Sequence, residues 1–187
     1  QQHVLNLANT GAFEYIFERL HTLLSENDIA YLKWDHNRDL LEAGDALTGR
    51  ALVHEHTLAL YRLIDRLREL HPTVDIENCA SGGSRLDVAI LERTDRMWTS
   101  DCNDPLERIN TLQYTGLIVP PEMLGAHIGE SPSHTTGRAT SLRFAAVSCL
   151  IGHLGVERDL TRATPEELAE LAAWVAAYKE YRGLVHT

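Results

Sequence analysis

The sequence predicts an α/β domain with a parallel sheet, and three observations support this prediction. Short apolar runs alternate with longer amphipathic stretches along the 187 residues. The run at residues 29–34 is compact and apolar, as is typical of a strand buried on both faces of a parallel sheet. Several of the runs end in polar residues, and the carboxyl ends of parallel strands share one edge of a sheet.

Five apolar runs are predicted as core strands, each followed by a helical stretch. In chain order the strands cover residues 29–34, 73–76, 96–99, 118–128 and 154–156. Apolar residues at helical spacing, or helix start signals, predict helices over residues 13–24, 58–70, 86–91, 104–115, 140–151 and 164–181. A further short strand-like run at residues 4–7 precedes the first helix.

The helix boundaries rest on residues that start or stop helices. His71-Pro72 ends the second helix, because proline cannot continue it. Asp104-Pro105 opens the fourth helix with proline in its first turn. Thr164-Pro165-Glu166-Glu167 has the threonine cap and third-position glutamate of a capping box, and Gly183 is expected to end that last helix.

Five strand-helix units leave two architectures open. One is an open α/β sheet. The other is a (β/α)8 barrel that lacks its first strands, since a complete barrel has eight units and typically about 250 residues. The chain starts close to a helix and without an initiator methionine, which favours a piece of a larger protein.

Composition excludes several classes of function. The net charge of −10 disfavours nucleic acid and anionic membrane surfaces as partners. No apolar run approaches the roughly 20 residues of a membrane span, and no signal-peptide pattern opens the chain. Three widely spaced cysteines form no disulfide framework or zinc pair, so we expect free thiols and a cytoplasmic location.

Asp35 is the first candidate catalytic residue. It follows the apolar run at 29–34 and lies between Lys33 and Arg38. A nearby cation keeps a carboxylate ionised, as a nucleophile requires. A purely structural ion pair with Lys33 or Arg38 is the alternative interpretation.

Asp101 is the second candidate, at the end of the strand predicted at 96–99. A general acid needs a raised pKa from burial or a neighbouring negative charge, and Trp98 and Asp104 could supply these. Asp101 could instead cap the next helix, but the spacing fits Asp104 better for that role. The Gly82-Gly83 turn either lets backbone approach a ligand closely or is simply a tight strand-to-helix turn.

These polar clusters resemble the α-galactosidases of glycoside hydrolase family 36. The run Tyr-Leu-Lys-Trp-Asp-His-Asn-Arg at 31–38 resembles the family's nucleophile motif, with His36 where methionine is usual. The run Glu-Asn-Cys-Ala-Ser-Gly-Gly-Ser-Arg-Leu-Asp at 77–87 is similar to a second family segment. The run Trp-Thr-Ser-Asp-Cys-Asn-Asp-Pro-Leu-Glu-Arg at 98–108 resembles the acid/base segment.

The resemblance implies a retaining α-galactosidase that acts on terminal α-D-galactosides of the melibiose or raffinose type. Asp35 then matches the nucleophile and Asp101 the acid/base, with the two carboxyl groups about 5–5.5 Å apart. The family's sugar-contacting positions match Lys33, Asn37, Cys79 and Gly82. Small oligosaccharide galactosides are the implied partners, and no metal or organic cofactor is implied.

The resemblance also implies a partial TIM (β/α)8 barrel, roughly strands four to eight with their helices, as a single domain over residues 1–187. The family's amino-terminal β-sandwich, first three barrel strands and carboxyl-terminal β-domain lie outside this chain. We therefore expect the isolated chain to be inactive or nearly so. We also expect it to self-associate through exposed strand edges, and the parent protein to be a homo-oligomer.

Two further functions remain open at the level of sequence. Related enzymes act on α-N-acetylgalactosamine or transfer galactose, although the cysteine and glycine at 79–84 favour plain galactose. A non-catalytic carbohydrate-binding or scaffold protein with a degenerate site is the other alternative. Retention of both Asp35 and Asp101 argues against it, because a binding module needs neither carboxylate.

Overall fold

The structure, a computed structural model, describes residues 3–41 and 43–185. These residues form two compact units. The first unit comprises the described residues up to Ala80 together with Arg85–Asp95, and the second comprises Ser81–Ser84 and the described residues from Arg96 onward. Within this described part of the chain, no helix has the length and hydropathy needed to cross a bilayer.

The first unit contains two strands and three helices. In chain order they are α1 (Thr10–Glu26), β1 (Tyr31–Trp34), α2 (Val53–Leu70), β2 (Asp75–Asn78) and α3 (Val88–Leu91). The two strands pair in parallel, with Tyr31 opposite Asp75 and Trp34 opposite Asn78. Their carboxyl ends therefore lie side by side.

Apolar faces of α1 and α2 form the core of the first unit. Phe13 and Phe17 of α1 are buried, as are Leu63, Ile64 and Leu67 of α2. These residues belong to one cluster that also includes the strand residue at position 76. The helical spacing of these side chains in the sequence thus reflects one buried face on each helix.

The second unit contains three strands and three α-helices. They are β3 (Arg96–Trp98), α4 (Pro105–Thr115), β4 (Leu124–Ile128), α5 (Leu142–Val147), β5 (His153–Val156) and α6 (Pro165–Val185). Short 3-10 helices cover Pro121–Met123 and Leu160–Arg162. The strand β4 lies between β3 and β5 and is parallel to both.

The α/β fold class predicted from sequence is confirmed, since five strands alternate with helices, and the pairings of β1 with β2 and of β4 with β3 and β5 are parallel. Two predicted helix starts are also confirmed. The Asp104 side chain accepts a hydrogen bond from the Leu106 backbone N–H and caps α4. Thr164 and Glu167 each accept a hydrogen bond from the other's backbone N–H, which is the predicted capping box.

The strand predicted at residues 4–7 is wrong, because these residues form irregular backbone that enters a turn. The Asn6 side chain accepts a hydrogen bond from the Ala8 N–H, and the Asn6 carbonyl accepts one from the Asn9 N–H. Asparagine side chains of this kind favour turns over strand pairing. The helix predicted at 140–151 is shorter than expected and covers only Leu142–Val147.

The sequence predicted that the last helix ends at Gly183, but the helix continues to Val185. A glycine in a helix costs only about 1 kcal/mol relative to alanine. Gly183 has no positive φ angle and no heavy atom close to the position of a Cβ. Nothing at this position therefore forces the chain out of the helix.

Candidate active site

Asp35 lies directly after β1, in a backbone that stays paired with the neighbouring strand. The Cys79 N–H donates to the Trp34 carbonyl at 2.9 Å, and the His36 N–H donates to the Cys79 carbonyl at 3.1 Å. The parallel ladder thus continues beyond the ends of β1 and β2. This pairing fixes Asp35 beside Cys79 at the carboxyl edge of the first unit's strands.

The Asp35 carboxylate accepts hydrogen bonds on both oxygens. The Asn37 amide donates to Oδ2 at 2.7 Å, and the His36 backbone N–H donates to Oδ1 at 2.9 Å. Partial burial raises the pKa of Asp35, but hydrogen bonds from Cys79 and Asn37 outweigh this effect. The His36 N–H and the charge of Lys33 also lower it, so the pKa lies below its ordinary value. Asp35 is therefore ionised at neutral pH, as a nucleophile must be.

Lys33 lies on the same face of β1 as Asp35, two residues before it. Its ammonium group is 3.3 Å from Oε1 of Glu77, which is only 2% exposed. The Tyr31 hydroxyl donates a hydrogen bond to Oε2 of the same carboxylate. Lys33 thus forms an ion pair with Glu77, which weakens the interpretation of Asp35 as merely the structural partner of Lys33.

Arg85 is a site residue to which sequence reasoning gave no role. Its Nη2 donates to the carbonyls of Trp34 and Cys79, both at 3.0 Å. Its Nε donates to Oδ1 of Asn78 at 2.7 Å. One guanidinium thus joins the end of β1, directly before Asp35, to the end of β2. Backbone acceptors on two separate strands leave no pattern in the sequence, so this role could not be predicted from it.

A cavity of about 450 Å³ opens beside Asp35 within the first unit. This volume lies in the range of about 300–1,000 Å³ that is usual for small-molecule sites. Apolar residues of α1 and α2 form part of its wall, and its polar lining includes Asp35, Asn37, Arg38, His56 and Arg85. The carboxylate predicted as nucleophile is thus accessible from a space of suitable size.

His36 occupies the position at which methionine is usual in the family that this chain resembles. Its backbone N–H donates a hydrogen bond to Asp35, and the centroid of its ring lies 6.4 Å from that of His56. Burial lowers the pKa of His56, and electrostatic interactions with His36 and Arg85 lower it further. The departure from the family pattern therefore leaves the hydrogen bond to Asp35 intact, because that bond uses only the backbone.

Asp101 lies in the second unit, three residues after the end of β3. It is exposed, and its Oδ1 accepts a hydrogen bond from Nε1 of Trp98 at 3.0 Å. Asp104 is fully buried and forms an ion pair with Arg138 at 2.7 Å. Burial raises the pKa of Asp104, but hydrogen bonds from Thr136, the helix backbone and Arg138 lower it below its ordinary value. As predicted, Asp104 is the helix cap and Asp101 is not.

Arg108 of α4 holds the loop that carries Asp101. Its guanidinium donates to Thr99 Oγ1, to the Ser100 and Cys102 carbonyls and to Asn103 Oδ1, at distances of 2.6 to 3.3 Å. It also lies 4.5 Å from the Trp98 ring centroid. The residue is only 1% exposed. This buried guanidinium thus contacts four residues of the loop through Nη1 and Nη2 and restrains it, and sequence reasoning did not identify it.

Gly82 packs against the same loop. It has φ of +78°, and a Cβ at this position would lie 2.7 Å from the Ser100 Cα. Glycine is therefore required both by the backbone conformation and by the close approach. The structure thus shows a close backbone contact between Gly82 and the loop of Asp101. Contact of Gly82 with a sugar stays a prediction.

The six predicted site residues thus fall into two sets. The structure brings Lys33, Asn37 and Cys79 together with Asp35 in the first unit, and it places Gly82 against the loop of Asp101 in the second. Among residues 3–41 and 43–185, no three histidine, cysteine or acidic side chains lie close enough to hold a metal ion.

Comparisons with known proteins identify the family of this chain. A family model described as Melibiase matches residues 1–187. An α-galactosidase of Escherichia coli is 45% identical over 100% of the chain and 26% of its own length.

Solved structures give the same result. The GH36 α-galactosidase AgaA of Geobacillus stearothermophilus has a TM-score of 0.93 at 33% identity, over 98% of this chain and 26% of that one. A doubly substituted AgaA in complex with raffinose has a TM-score of 0.94 at 33% identity, with the same coverage. The chain therefore spans about a quarter of the length of these relatives.

Proposed function

Because the chain belongs to the Melibiase family, we propose that the complete gene product containing these 187 residues is a retaining α-galactosidase. The observation that supports this proposal most directly is the ionised carboxylate of Asp35, which accepts three hydrogen bonds at the carboxyl end of a parallel strand. The similarity to α-galactosidases, one of them solved with raffinose, supports terminal α-D-galactosides as substrates. The five strands correspond in this proposal to strands four to eight of a (β/α)8 catalytic barrel.

In the first step, an oxygen of Asp35 attacks the anomeric carbon of the galactoside. The bond from that carbon to the leaving oxygen breaks, and a galactosyl ester of Asp35 forms. The hydrogen bonds from Asn37, His36 and Cys79 stabilise the carboxylate before attack and orient it toward the sugar. Lys33 and Asn37 lie beside Asp35 and are proposed to donate to sugar hydroxyls.

Asp101 is proposed to protonate the leaving oxygen in the same step. The Trp98 indole N–H is only a donor, so Oδ1 of Asp101 accepts its hydrogen bond, and Oδ2 is the oxygen proposed to deliver the proton. In the second step, Asp101 accepts a proton from water, and the water oxygen attacks the anomeric carbon and releases Asp35. Two displacements return the α-configuration.

Substrate choice tests this proposal. We expect the complete gene product to hydrolyse 4-nitrophenyl α-D-galactoside with a kcat/KM at least about 100-fold above that for the 2-acetamido analogue. The reason is that the segment with Cys79 and Gly82 is proposed to face the 2-position of the sugar, as in the family that it resembles, and Cys79 is buried beside Asp35. Release of nitrophenolate from both substrates is the measurement.

Three other outcomes would be recognised if a galactose titration and an analysis of the sugar products accompany this assay. Preference for the acetamido substrate would identify an α-N-acetylgalactosaminidase instead. Tight binding of galactose without turnover of either substrate would identify a binding protein. Predominant formation of galactosyl-galactosides would identify a transferase. Inactivity of the isolated chain, its self-association through strand edges, a homo-oligomeric parent and a cytoplasmic location stay predictions.

A further inference from the structure

Four side chains from the ends of three neighbouring strands form a connected network in the second unit. Trp98 Nε1 donates to Asp101 Oδ1 at 3.0 Å. The His127 ring lies on Trp98, with 4.3 Å between ring centroids and 36° between planes. Nδ1 of His127 is 3.0 Å from Oε2 of Glu157. The network thus runs from β5 through β4 to the carboxyl group that follows β3.

We propose that His127 is a positioning residue for proton donation by Asp101, acting through Trp98. This inference rests on the proposed function, in which Asp101 is the general acid. His127 fixes the plane of the indole, the indole N–H fixes Oδ1 of Asp101, and Oδ2 is thereby aimed at the leaving oxygen. Nothing in the sequence pattern assigns such a role to His127.

The exposure of these groups explains why Asp101 needs support. The Trp98 side chain is only 2% exposed, whereas Asp101 itself is exposed. An exposed carboxyl group on a loop has several rotamers of similar energy, and a single buried donor selects one of them. That selection is only as good as the orientation of the donor, which depends on the groups that contact the indole ring. Arg108 and His127 are both such contacts.

Glu157 and Gly155 determine how His127 presents its ring. An ionised carboxylate only accepts hydrogen bonds, so Nδ1 of His127 carries a proton directed at Glu157. Gly155 is the register partner of His127 on β5. A Cβ on Gly155 would lie 2.5 Å from Cδ2 and 2.8 Å from Nε2 of the imidazole. The ring thus lies across a gap that only glycine leaves open.

The Gly155→Ala substitution tests the inference without altering any member of the network. The new methyl group must displace the His127 ring, and the support of Trp98 is then lost. Raffinose has a poor leaving group, whose departure needs the proton. We therefore expect kcat/KM for raffinose to fall by about 10- to 100-fold. For 2,4-dinitrophenyl α-D-galactoside, whose leaving group departs without protonation, we expect a change of no more than about threefold.

The activated substrate also shows that the variant is folded, since its kcat/KM still requires Asp35. Glu157→Gln is the second variant, and we expect the same selective loss on raffinose with a smaller magnitude. Gly183→Ala is the matched control, because a Cβ there meets nothing within 4 Å, and we expect it to leave both substrates unchanged.

The outcomes separate the inference from the function on which it rests. An equal loss on both substrates in Gly155→Ala and Glu157→Gln, or no loss on either, would overturn the role of His127 while leaving the α-galactosidase assignment intact. If the wild type hydrolyses neither galactoside, the proposed function fails, and this inference fails with it.

Discussion

Asp35→Asn is expected to lower kcat for 4-nitrophenyl α-D-galactoside by about four orders of magnitude or more, as is usual when a covalent nucleophile is removed. The amide is nearly the same size as the carboxylate but cannot form the galactosyl ester. Three hydrogen-bond donors surround the carboxylate and lower its pKa, so the site stabilises its charged form. Initial rates of nitrophenolate release by the complete gene product measure the loss.

Asp28→Asn is the matched control for this prediction. Asp28 is exposed and precedes β1 by three residues, outside the cavity beside Asp35. We expect its substitution to leave kcat within about twofold of the wild type, as is typical of exposed positions. Full activity of Asp35→Asn would show that Asp35 is structural and that the nucleophile lies elsewhere.

Asp101→Ala is expected to produce a loss that depends on the leaving group. For raffinose we expect kcat/KM to fall by about 10³- to 10⁴-fold, near the upper limit for general acid catalysis. For 2,4-dinitrophenyl α-D-galactoside we expect kcat/KM to stay within about tenfold of the wild type, because that leaving group needs no proton.

Azide distinguishes this role of Asp101 from a structural one. In Asp101→Ala no carboxylate is present to activate water or to repel an anion, so azide attacks the galactosyl-enzyme directly. We expect azide to raise kcat for the dinitrophenyl substrate and to yield α-galactosyl azide. Glu166→Ala, which removes an exposed carboxylate in the first turn of α6, is the control and should show no such effect. An equal loss on both substrates without azide rescue would contradict the assignment.

The strand ends could be predicted from the sequence because local chemistry determines them. Compact apolar runs predicted the five strands. The polar residues that follow two of these runs indicated Asp35 and Asp101 as candidate catalytic residues. The distinction between Asp101 and Asp104 also came from local spacing, since a helix cap must lie directly before the first turn. Asp104 does cap α4, and Asp101 accepts from Trp98 instead.

The supporting residues could not be predicted, because their partners are tertiary. Arg85 and Arg108 bind backbone carbonyls, which every residue has, so no residue type marks their targets. His127 contacts Trp98 and Glu157, each about 30 residues away in the chain. The error at residues 4–7 has the opposite cause, since a local asparagine turn overrode an apolar run that resembled a strand.

The central claim is that Asp35 becomes covalently bonded to galactose. The most direct test is to treat the complete gene product with 5-fluoro-α-D-galactosyl fluoride, whose good leaving group allows attack while the ring fluorine slows release of the sugar. Mass spectrometry of the digested protein then locates the adduct. We expect one fluorogalactosyl group on Asp35 and none on the Asp35→Asn variant. An adduct on another residue, or hydrolysis that gives β-galactose as the first product with no adduct, would contradict the account.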